Sequence, residues 1–94
     1  MQQVFALNIG TLPDKRRHPI KRRMCEKVLQ ETPGLIDVWE TGEHGTLLFF
    51  ATRTHAEKAR DAMRKSKNPV DDRIFLAMMD RDTNTFHMRD VLDE

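Results

Sequence analysis

The sequence predicts one α+β domain, and three observations predict it. Apolar residues fall in short blocks divided by proline, glycine and acidic turns. Two intervening stretches carry helical spacing instead. The chain's 94 residues are too few to build two separate cores. Three of the blocks, Val4–Leu7, Thr46–Ala51 and Ile74–Met79, are apolar on both faces. A strand with one wetted face alternates apolar and polar residues, so the sheet side away from the helices is expected to need a cover.

Each element follows from local signals. Val4 to Ile9 is the first strand, ended by Gly10-Thr11-Leu12-Pro13-Asp14. After a basic loop, Pro19 suits the first turn of a helix, where its missing N–H costs nothing. Ile20, Met24, Val28 and Leu29 recur at helical spacing and are expected to face the core. Thr32-Pro33-Gly34 stops the helix, because proline disfavours a helical residue before it. Leu35 to Glu40 and Thr46 to Ala51 form a hairpin around the glycine-bearing loop 41–45. Thr54-His55-Ala56-Glu57 has the spacing of a capping box, so the second helix should start there and turn Ala56, Ala59, Ala62 and Met63 inward. Asn68-Pro69 stops it, and Arg73 to Met79 is the fourth strand. Residues 80–85 read as a turn, and Phe86, Met88, Val91 and Leu92 as apolar spots in a tail. The order βαββαβ is the ferredoxin-like arrangement: an antiparallel four-stranded sheet, two helices on one face and a short C-terminal extension over 81–94. By bulk, Phe5, Leu7 and Ile9 should face the helices and Val4, Ala6 and Asn8 the open side. In the third strand neither set is polar, so at least one large side chain must also point to the open side.

Composition narrows the function classes. The longest apolar run is about eight residues, far short of the roughly 20 that cross a membrane. Met1-Gln2-Gln3-Val4 lacks the charged start and apolar run of a signal peptide. A cytoplasmic protein with no membrane partner is the expectation. Cys25 is the single cysteine, which excludes an internal disulfide and, with no CxxC or Cys/His pairing, points to no zinc site. The net charge of +1 hides a gradient. Residues 1–34 carry seven Lys/Arg against three acids, residues 35–72 six against seven, and residues 73–94 three against five.

The sharpest local signal is Lys15-Arg16-Arg17-His18-Pro19-Ile20-Lys21-Arg22-Arg23. Six cations in nine residues, four of them arginine, sit on a loop and a helix start. Lys15, Arg16, Arg17, Lys21, Arg22 and Arg23 are therefore the candidate contacts for nucleic acid or another polyanion, arginine supplying the planar fork that suits phosphate. Cations at a helix N-terminus oppose its dipole, at about 0.3–1 kcal/mol, which favours a role outside folding. His18, His44, His55 and His87 are scattered and form no ligand pair. Asp80-x-Asp82-x-Asn84 opens like a calcium loop, but Thr85 and Val91 stand where glycine and glutamate are required. No phosphate loop, nucleophile elbow or triad is present, so no catalytic residue, metal or cofactor is expected.

Three resemblances bear on function. Val4-Phe5-Ala6-Leu7-Asn8-Ile9 resembles the first-strand motif of RNA-recognition domains, and Phe49-Phe50-Ala51-Thr52 leading into Ala56-Glu57-Lys58-Ala59 is similar to their third strand and second helix. That would imply bases stacked on strand aromatics, but Gly45 and Leu47 occupy the two stacking positions of the third strand. Glu31 to Trp39 is similar to the helix-to-strand passage of dimeric α/β-barrel proteins. Their sheets pack face to face, and many bind or transform a small molecule. The order of elements with a basic first helix resembles the small CRISPR-associated endoribonuclease-like proteins, which implies a dimer and an extra C-terminal strand. Their signature aspartate at the end of the first strand is Asn8 here.

The sequence therefore points to a binding or regulatory domain, not an enzyme. It is expected to self-associate through its sheet and to contact nucleic acid or an acidic protein through the basic loop and helix. A dimeric α/β-barrel protein acting on a small molecule is the alternative.

Overall fold

The computed structural model describes residues 1–92. Its elements are β1 (Gln2–Asn8), α1 (Pro19–Gln30), β2 (Leu35–Glu40), β3 (Thr46–Phe50), α2 (Arg53–Lys65), β4 (Ile74–Asp80) and β5 (Thr85–Leu92). The strands form one antiparallel sheet in the order β2-β3-β1-β4-β5. This corrects the four-stranded ferredoxin-like sheet with a C-terminal extension: the sheet has five strands, and the described part of the extension is the fifth. The turn before it is closed by the Asp82 N–H donating to Asp80 Oδ1 at 3.0 Å and by Asn84 at a φ of 53°. Phe86 then pairs with Met79, Met88 with Ala77 and Leu92 with Ile74.

Both helices lie on one face. There Leu7, Ile9, Leu48, Phe50 and Ile74 meet Leu29 of α1 and Ala56 and Ala59 of α2, with Phe5 packed against them. The bulkier set of β1 thus faces the helices, as its side-chain volumes require. α2 begins two residues before the expected box. Thr52 is the cap, its hydroxyl accepting from the His55 N–H at 3.2 Å and lying 2.8 Å from His55 Nδ1. The His55 ring lies against Gly34, which has a φ of 76°; a Cβ there would collide with the ring. Ala62, expected inside, is exposed.

The other sheet face is covered within the chain. β2 and β5 are opposite edges of five strands, which in a flat sheet would stand roughly 19 Å apart at about 4.8 Å per strand. Yet the rings of Trp39 on β2 and Phe86 on β5 are 5.9 Å apart, and each also meets Phe49, at 5.0 and 5.9 Å. The sheet therefore curls strongly about its small central residues. Val4, Ala6 and Ala77 form the floor, and the three rings close over it. The β4–β5 turn completes the closure, Arg81 Nη2 donating to the Ile36 carbonyl at 3.2 Å. Val4, Ala6, Leu47, Phe49, Ala77 and Met79 are all buried in a single copy. The two-sided strands were the reason for expecting a sheet-to-sheet dimer, and one chain already satisfies them.

Candidate functional site on the basic loop and first helix

Asp14 builds the loop. Its Oδ1 accepts from the Arg16 and Arg17 N–H groups at 2.7 and 3.0 Å, and its carbonyl accepts from the His18 N–H at 2.8 Å. Those backbone bonds, Arg17's first, hold the carboxyl below its usual range. With Asp14 turned to the backbone, Lys15, Arg16 and Arg17 project into solvent. α1 then starts at Pro19 with His18 as an uncapped N-cap and no acid in its first turn. Its leading N–H groups keep their partial positive charge for whatever lies in front of them. Lys21 and Arg23 are exposed on the first two turns. Lys15 faces Glu40 closely enough to help lower its pKa; Arg16, Arg17, Lys21 and Arg23 have no ion-pair partner among the described residues.

Arg22 leaves the expected cluster. It is buried, its Nη1 and Nη2 donating to the two oxygens of Glu40 at 2.5 and 2.7 Å and its Nε to Glu26 at 2.8 Å. Bonded on both sides, its pKa is driven further up, and Glu40 is held below the usual carboxylate range chiefly by the same hydrogen bonds. Arg22 is a clamp between α1 and the end of β2. The i,i+4 spacing of Arg22 and Glu26 was visible in the sequence; the reach to Glu40, eighteen positions on, was not.

The stripe expected inside the core also moves. Leu29 is buried, but Ile20, Met24 and Val28 are exposed. Met24 and Val28 edge a cleft of about 270 Å³ between α1, α2 and the end of β1, whose floor includes Ile9, Leu29, Met63 and Pro69. Beyond Val28 and Met63 a second hollow of about 170 Å³ continues between the helices, reaching Ala59, Ala62 and Lys58. Cys25, half-buried, lines the first cleft.

Asn8 and Asp71 have structural work. Asn8 Nδ2 donates to the His44 carbonyl at 2.6 Å and its Oδ1 accepts from the Gly10 N–H at 2.8 Å, tying β1 to the β2–β3 loop. Asp71 pairs with Arg73 at 3.1 Å. Among the described residues no group of three or more His, Cys, Asp or Glu could hold a metal ion. No helix among them is long and apolar enough to cross a membrane. Comparison with protein-family models, curated proteins and solved structures gives no match for this chain.

Proposed function

We propose that the protein is a small binding module that engages an anionic macromolecule through Lys15, Arg16, Arg17, Lys21 and Arg23. One observation carries this: a loop held rigid by Asp14 presents its cations around an uncapped helix start, and four of these five side chains have no acidic partner among the described residues. Folding gives no return for this arrangement, since like charges repel and oppose the helix dipole. An anion in front of the helix relieves both.

The test is a salt titration with a labelled single-stranded oligonucleotide of mixed sequence and with polyglutamate. Each phosphate contact contributes about 0.7 to the slope of log affinity against log salt for a single strand. The pair of substitutions Arg16→Gln and Arg17→Gln should flatten the oligonucleotide slope by about 1.4. If neither probe binds at low salt, or the double variant binds both as wild type does, the reading is wrong.

The competing reading is a protein that binds a small molecule. Its dimeric α/β-barrel form loses its support, because the sheet face it would pair is already covered within one chain. What remains draws on the apolar cleft between the helices. Cys25, Thr11 and Asn68 are its only side chains able to bond or react, and no His or acid lines it among the described residues. An apolar ligand held there would bind without the steep salt dependence of the first reading.

A further inference from the structure

We propose that the anionic partner is a protein that lays an acidic amphipathic helix along α1. Its apolar side chains would occupy the Ile20–Met24–Val28 stripe and the cleft beside it, and its carboxylates would meet the rimming cations; this rests on the anionic-partner reading above. Ile20, Met24 and Val28 are 73%, 64% and 53% exposed and stand four residues apart along one side of α1. They are not buried against the core, which α1 reaches through Leu29, while Arg22 bonds Glu40 at the end of β2. A phosphate backbone has no use for three apolar side chains in water, whereas an apolar stripe beside a groove suits the apolar face of a second, amphipathic helix.

Shape separates a helix from a lipid surface. The stripe borders a hollow that runs between α1 and α2 from Pro69 to Ala62, and side chains fill a hollow where a membrane plane would bridge it. Charge separates an acidic partner from a second copy of this chain. At about 100° per residue, Lys21 flanks the stripe on one side and Arg23 and Lys27 on the other, while Lys58 lines the far hollow. No acidic side chain lines either hollow among the described residues. Two copies of α1 packed together would set these cations against each other, and like charges across an interface select against that pairing.

The experiment is fluorescence anisotropy on the full chain with a labelled synthetic helix bearing leucine on one face and glutamate on the other. Its comparators are a scramble of the same composition, a lysine-for-glutamate version and the oligonucleotide. The acidic helix should bind about tenfold tighter than its scramble, a difference of about 1.4 kcal/mol. The double variant Ile20→Gln, Met24→Gln should erase that tenfold and leave oligonucleotide binding as in wild type. The proposal is overturned if the scramble or the lysine helix binds equally well, or if the double variant binds the acidic helix unchanged. It is also overturned if the same variant instead abolishes binding to phosphatidylserine vesicles, or dissolves a dimer seen by sedimentation, with the helix bound in neither case. In each of these outcomes, oligonucleotide binding that still depends on Arg16 and Arg17 preserves the anionic-partner reading. If no anionic probe binds, both fall together.

Discussion

The two helices lie on the same side of one sheet, and each carries a buried arginine, but they are seated on it differently. α2 is seated through small residues: Ala56 and Ala59 are buried, and Arg60, also buried, donates to the Asp72 carbonyl at 3.2 Å. α1 is fastened by a charge, Arg22, with Leu29 beside it, while Ile20, Met24 and Val28 face outward. The first helix meets the usual amphipathic rule only in part: Leu29 is inside and Lys21, Arg23 and Lys27 are outside, but Arg22 is buried and Ile20, Met24 and Val28 are exposed. With Ile20, Met24 and Val28 outside, the first helix holds apolar surface that its contact with the sheet does not use.

The largest effect expected to test this contrast is at Ala56. Leucine there must push α2 off the sheet or strain β1 and β3, at about 1–3 kcal/mol. A fall in the urea midpoint with an unchanged m-value would register it. If Ala56→Leu is neutral, α2 is not tightly seated and the two helices do not differ as described.

Next comes the clamp. Arg22→Ala removes a two-pronged bond to Glu40 and the packing of its aliphatic stem, and a loss of about 1–2 kcal/mol is expected because Glu40 is half exposed and partly screened. The pH dependence identifies the cause. Glu40's folded pKa lies below its ordinary value of 4.5, so its stabilisation is complete above that value and is lost as pH falls through the folded pKa. Wild type and variant should therefore differ most near neutrality and converge in acid. A difference that persists unchanged into acid would assign the loss to packing alone.

The legible part of the molecule was the part decided by neighbours in sequence. Pro19, Gly34 and the 41–45 loop place α1, β2 and β3, and the bulk of Phe5, Leu7 and Ile9 orients β1. The fifth strand carried a signal too: Phe86-His87-Met88-Arg89 alternates apolar and polar, as a half-exposed edge strand does, but its turn residues made the segment read as a tail. The curl of the sheet was not legible. It depends on Trp39 and Phe86 meeting across three intervening strands, a long-range packing event with no local trace. At the candidate site, the exposed cations of the loop could be read from their density. The burial of Arg22 depended on Glu40, and the stripe was misplaced because periodicity shows that residues share a face without showing which way it points.

The smallest expected effect is the most decisive for α1. Ile20→Gln with Met24→Gln should change stability by no more than about 0.5 kcal/mol, since both sites are exposed and glutamine matches methionine as a helix former. An unchanged urea midpoint in the double variant would show that Ile20 and Met24 contribute nothing to folding, so that any loss of peptide binding belongs to the docking surface itself. A loss above about 1 kcal/mol would mean that these side chains pack in solution. α1 would then be held as α2 is held, and the apolar surface offered to a partner would not exist.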